Sequence, residues 1–137
     1  MDPDRPIGLT ALAAFFGFGT LMSGLSAMAL AFPGSWLEPM WRLNPPARVE
    51  LGHMGGWAVL LMLFVAVACA AAAVGVWNRR LWGQRLAGAV LGCNLLGDLL
   101  NAVVRGDLRT LIGLPIGGAM LAYLFSRPIR GHFRRSP

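Results

Sequence analysis

The chain has 137 residues, 56% of them hydrophobic and only 13% charged, with a mean hydropathy of +0.61; so little charge in so short a chain excludes an ordinary water-soluble domain. Twelve basic residues, all arginine, outnumber six acidic ones and leave a formal net charge of +6. In a soluble protein that balance would suggest nucleic acid. In a chain this apolar it reports membrane topology, and no nucleic-acid partner is expected.

Four apolar segments follow one another, at about 7–31, 53–77, 81–104 and 108–126. Each approaches or exceeds the ~20 residues with which a helix rising ~1.5 Å per residue crosses ~30 Å of hydrocarbon. The expected fold is a single membrane domain over residues 1–137, an all-α bundle of four antiparallel transmembrane helices with a short external interfacial helix. The first segment ends in "SAMALAF", which has the small residues of a signal-peptide cleavage site. Its apolar run is too long for a signal peptide and the opening "MDPDRP" carries no positive excess, so it reads as a true span. Gly19, Ser23, Ala27 and Ala31 recur every four residues along it and form a ridge of small side chains, the surface through which membrane helices approach closely.

The loop "FPGSWLEPMWRLNPPARVELGH" carries helix signals of its own. Ser35 and Glu38 have capping-box spacing, and Trp36, Leu37, Met40 and Trp41 give the short helix they predict an apolar side for the membrane interface. Asn44 is placed to cap a helix opening at Pro45, so that the second span begins well before His53. Trp57, Trp77 and Trp82 stand near span ends as interfacial anchors. The third segment carries Gly88 and Gly92, and the fourth Gly113 and Gly117, two GxxxG pairs expected at helix contacts. Pro115 should kink the fourth helix and leave a carbonyl near Leu111 in need of a partner, while Asp107 is expected to cap that helix with Arg109 on its first turn.

Short turns at 78–80 and 105–107 make neighbouring helices antiparallel. With four spans, one side of the membrane holds Arg5, Arg79, Arg80, Arg85, Arg127, Arg130, Arg134 and Arg135, and the other Arg42, Arg48, Arg105 and Arg109. Eight against four places both termini in the cytoplasm. The tail "SRPIRGHFRRSP" is then a basic, lipid-facing anchor beside anionic headgroups.

The chemistry of interest lies in "GCNLLGDLLNAVVRGD", residues 92–107. Asn94, Asp98, Asn101 and Arg105 are spaced by four, three and four, which puts them in one sector of roughly 60° on a helix. An ionisable residue inside a span costs roughly 2.5–3.5 kcal/mol at its centre and marks a candidate site. At the same outer level the sequence offers Glu50 and His53, three apart, and Arg109. Two readings follow. Asp98 pairs with Arg105 or Arg109 while the asparagines bond across helices, or the stripe lines an outward-facing polar vestibule in which Asp98 carries a proton or binds a cationic group. A metal site from His53, Glu50 and Asp98 has a single histidine and falls short of the usual ligand set, so no metal is expected. Cys69 and Cys93 lack a Cys-x-x-Cys spacing, no nucleophile-base arrangement has a local signature, and neither a cofactor nor enzymatic activity is expected.

The opening "RPIGLTALAAFFGFGTLMSG" together with "GDLLNAVVRGDLRTLIGLPIGGAMLAYL" resembles small four-span bacterial inner-membrane proteins of uncharacterised function, and the Arg-Pro-x-Gly-Leu-Thr start is similar to a broader group of bacterial membrane proteins. The resemblance implies the fold and the membrane and transfers no activity. The chain lacks the Cys-x-x-Cys of quinone-linked disulfide enzymes and the paired motifs of fluoride channels. The expected role is a non-enzymatic accessory or structural subunit that self-associates or joins a larger membrane complex. The alternatives are a small transporter or channel using the stripe and, third, a membrane enzyme with an outer-leaflet site.

Overall fold

The computed structural model describes residues 5–106 and 108–134, and these are helical throughout, 87% helix with no strand. The order is α1 (Ile7–Ala31), a 3-10 helix (Glu38–Leu43), α2 (Pro45–His53), α3 (Gly56–Trp77), α4 (Leu81–Arg105), a second 3-10 helix (Leu108–Ile112), α5 (Gly113–Leu124) and α6 (Arg127–Arg134). Three helices, α1, α3 and α4, are long and apolar enough to cross a membrane, and a fourth crossing exists if Leu108–Leu124 and Arg127–Phe133, bent by 59° at their junction, are taken together. Contacts divide the chain into two compact units, residues 17–70 and residues 1–16 with 71–137, the divide falling within α1 and within α3.

In the 17–70 unit, Ala29, Leu37 and Trp41 form a small core against which Leu25, Leu30, Met40, Ala47 and Leu51 pack. Glu38 ties the loop together: its Oε1 accepts from Arg48 Nη2 at 3.1 Å and Nε at 3.2 Å, and its Oε2 accepts from the Gly34 amide at 3.4 Å. The expected capping box therefore forms only in part. The Glu38 carboxylate reaches back, but Leu37 occupies the cap position without a side-chain bond, the Ser35 carbonyl accepts the Glu38 amide, and the Ser35 hydroxyl is buried without a partner among the described residues. The two tryptophans also part company. Trp41 is buried and Trp36 is 85% exposed, because Trp36 precedes the helical turn that would have placed it on the same side. Asn44 does cap α2, its Oδ1 accepting from the Ala47 amide at 3.3 Å. That helix does not run on into the second span, however. Gly55 takes φ +58, a left-handed conformation open to glycine, and the chain restarts as α3 at Gly56. On the small-residue ridge of α1, Gly19 faces Cys69, whose Sγ would lie 3.3 Å from an added Cβ.

In the other unit, Leu9, Leu12, Ala13 and Phe16 recur at helical spacing on α1 and are all buried, with Ala72, Val76, Ala87, Leu91 and Leu124 completing the interior. Where α3 passes α4, Gly75 and Gly83 meet backbone to backbone, leaving no room for a Cβ on either. The turn between them closes with Arg80 N–H donating to Gly75 O at 2.9 Å and Arg79 N–H to Val76 O at 3.1 Å, the paired bonds of a Schellman ending. Arg79 holds the left-handed position at φ 54.

One turn into α4, Gln84 is the sole buried polar side chain among the described residues. Its Nε2 donates to Leu124 O at 2.8 Å. The reason is in the sequence: that carbonyl would ordinarily accept from the amide four residues on, which is Pro128 and has none. The helix bends there instead, and α6 turns back with Ile129 and Phe133 buried, 3% and 1% exposed. Residues 127–133 of the basic tail are thus a docked helix, with the apolar side against the protein and Arg127 and Arg130 exposed. The expected kink at Pro115 is also relocated. Pro115 falls in the first turn of α5, where an amide has no helical partner anyway, and the 59° bend lies instead between Leu124 and Arg127.

Replacing Gln84 by leucine leaves a buried carbonyl without a donor and should lower stability by about 1–3 kcal/mol. Gly92 has nothing within 4 Å of an added Cβ, so Gly92→Leu should stay within about 0.5 kcal/mol of the parent. Thermal unfolding of both variants in an uncharged detergent checks the pair.

Candidate functional site

Around α4 the residues sort by direction. Gln84, Gly88, Leu91 and Leu95 lie toward α5 and α6, whereas Leu96, Leu100 and Val104, all exposed, occupy the opposite side. The polar line Asn94, Asp98, Asn101 and Arg105 flanks the first of these faces. Asn94 and Arg105 are exposed, Asp98 and Asn101 half-buried. Asp98 stands five residues beyond the helix midpoint at Cys93, or ~7.5 Å along the axis, well inside the length of a span.

Asp98 and Asn94 line a groove of about 430 Å3 whose other walls are Phe15, Leu91, Leu95, Gly113, Ile116, Gly117 and Met120. Glycines on α5 make this possible. A Cβ on Gly113 would sit 2.9 Å from Asp98 Oδ2, and one on Gly117 would sit 2.8 Å from Leu95 Cδ2, so the α5 pair lies at the helix contact as the spacing predicts. The α4 pair divides: Gly88 meets the Phe125 ring, 2.6 Å from an added Cβ, while a Cβ on Gly92 would meet nothing within 4 Å among the described residues. A step of four residues rotates the face by about 40°, enough to carry Gly92 off the contact line.

No ion pair or hydrogen bond joins Asp98 to Arg105 or Arg109 among the described residues, and Asn94 and Asn101 are likewise without partners there. Among the described residues the carboxylate instead lies against Gly113 of α5. The register explains it: Arg105 lies about two turns from Asp98 at the end of α4, and Arg109 belongs to the 3-10 helix beyond it. Both arginines have interactions of their own. Glu50 and His53 are exposed on α2, in the 17–70 unit. Among the described residues no three His, Cys, Asp or Glu side chains are grouped to hold a metal. Asp107, the expected cap, lies outside the described residues.

Sequence reasoning passed over Gln84, whose signal was an uncharged polar residue in an apolar helix with a proline elsewhere owing a donor. It also passed over Arg5, whose Nη2 donates to Trp77 O at 2.9 Å and whose guanidinium stacks 3.8 Å above the Trp77 ring. Here fold and site define a class: a protein all-helical among the described residues, with three or four helices long and apolar enough to cross a membrane, one of which bears a carboxylate lining a groove. Compared with protein-family models, curated proteins and solved structures, the chain matches none.

Because Asp98 has no ion pair among the described residues, Asp98→Asn should leave stability within about 1 kcal/mol of the parent. Melting in detergent, with Asn94→Ala as a companion on the same face, tests this; a loss of several kcal/mol would mean an ion pair.

Proposed function

We propose that this chain is a four-span protein of a bacterial inner membrane with both termini in the cytoplasm, acting without catalysis as an accessory or structural subunit that self-associates or joins a larger membrane complex. The carrying observation is the polar line on α4, where Asn94 and Asn101 have no hydrogen-bond partner among the described residues. Polar groups left unbonded in hydrocarbon are costly, and a neighbouring polypeptide that bonds them removes the cost. The low internal burial of the spans points the same way. No more than 22% of any span window is buried within the chain, which leaves most of each helix for lipid or for another protein.

Four crossings are supported by length. Five 3-10 residues at ~2.0 Å and twelve α-helical residues at ~1.5 Å give Leu108–Leu124 roughly 28 Å, close to the hydrocarbon thickness. The orientation is supported by the arginine count, eight on the side of the termini against Arg42, Arg48, Arg105 and Arg109 on the other. A second reading, a small transporter or channel, is favoured by the groove that holds Asp98.

Both parts are testable in a background with Cys69 and Cys93 replaced by serine. Asn101→Cys, oxidised in native membranes, should yield a disulfide-linked adduct with a second copy or another polypeptide. Monomer alone, together with an Asp98-dependent flux in liposomes, would overturn the accessory role in favour of transport. For topology, Leu43→Cys should react with a membrane-impermeant thiol reagent on intact cells and Gly131→Cys should not; equal reactivity would overturn the four-span arrangement.

A further inference from the structure

The bend after α5 creates a surface that the roles above do not use. Helix α6 spends its apolar side on the protein, through Ile129 and Phe133, and turns Arg127 and Arg130 outward. No acidic residue follows Asp107 in the sequence, and neither arginine has an ion pair among the described residues. Arg130 is steadied over the Phe125 ring at 5.6 Å. Arg127 instead borders a hollow of about 300 Å3 that it shares with Pro128, Gly131 and His132. That is roughly ten water volumes, room for a phosphate and a small polar substituent.

Two features shape the hollow. Gly131 has nothing within 4 Å of an added Cβ, so its missing side chain leaves the floor open. His132 is fixed by Nδ1–H donation to Pro128 O at 2.9 Å; a carbonyl only accepts, so Nδ1 carries the proton. The setting names the source of the anion. Gln84 joins the first turn of α4 to the α5 end, and Trp82 on that turn is 50% exposed, as is Trp77 at 54% on the end of α3. Exposed tryptophans at the ends of apolar helices belong at headgroup level.

We infer that the hollow on α6, floored by Gly131 and bordered by Arg127 and His132, seats the phosphate of an anionic phospholipid headgroup. The inference rests on the membrane reading but is measured separately from it, by lipid titration rather than by cysteine accessibility. It concerns a shaped site. Diffuse attraction of positive charge to an anionic surface would need only the arginines.

The test uses the full chain in an uncharged detergent, its melting followed by tryptophan fluorescence during titration with short-chain phosphatidylglycerol, matched phosphatidylcholine or inorganic phosphate. Phosphatidylglycerol should raise the melting temperature saturably, and the other two should not at the same concentrations. Arg127→Gln should move the midpoint up about five-fold, the effect of one arginine at a charged surface. Gly131→Leu changes no charge and should abolish the saturable shift, with Gly131→Thr as a smaller block should the leucine variant fail to fold. Arg42→Gln, in the other unit, should leave the titration unchanged. Absence of a saturable shift overturns the proposal. So does a filled Gly131 position that leaves lipid binding intact, which would mean diffuse attraction, and so does an equal shift with inorganic phosphate, which would mean a free anion.

Discussion

A proline cannot donate, and the arrangement of residues 71–134 is organised around that fact at Pro128. The carbonyl of Leu124 is left without its helical partner in a buried position, and the amide that satisfies it comes from Gln84, forty residues away in sequence. For that side chain to reach, the first turns of α4 must lie close against the α5–α6 junction. Close approach in turn demands small residues, and they are present: Gly83 abuts Gly75 on one side of the first turn, and Gly88 lies under Phe125 one turn further along. Gross hydrogen-bond strength is not the point, since such bonds contribute modestly in membranes. The constraint acts through its alternative, a buried carbonyl with no donor at all.

Much of the helical outline was legible because hydrophobic length and caps are local. The spans at about 7–31 and 81–104 agree with α1 and α4 to within a residue, and Asn44 caps as its position before two prolines implies. What escaped was whatever depended on a partner far along the chain. Gln84 looks like one polar residue in an apolar run until Leu124 and Pro128 are beside it. The tail reads as a basic strip because the burial of Ile129 and Phe133 needs α4 and α5 in place first. The break at Gly55 lay in plain view as a Gly-Gly pair where the polar α2 gives way to the apolar α3, but the Asn44 cap and the prolines after it suggested one helix running on into the span.

The candidate site was legible in membership and not in bonding. Helical spacing put Asn94, Asp98, Asn101 and Arg105 on one line, and they share it. Opposite charges on one face suggested a pair, yet Asp98 lies against Gly113 of α5 rather than beside a guanidinium. Spacing fixes which residues share a direction. It does not fix how far the neighbouring helix stands off, and here glycines let α5 stand close enough that Asp98 Oδ2 comes within 2.9 Å of where a Cβ on Gly113 would be. The same limit separates the two GxxxG pairs: the motif marks where close approach is permitted, and the path of the facing helix decides whether it happens.

The turn at Asn78–Arg80 has a consequence for the helices it joins. Three residues span at most ~11 Å, so α3 and α4 cannot be positioned independently of one another. The turn is closed by Schellman bonds and spends left-handed backbone on Arg79, where glycine would be less strained. The two apolar helices are therefore coupled as one hairpin, and its tip carries an arginine at a position where backbone strain alone would favour glycine.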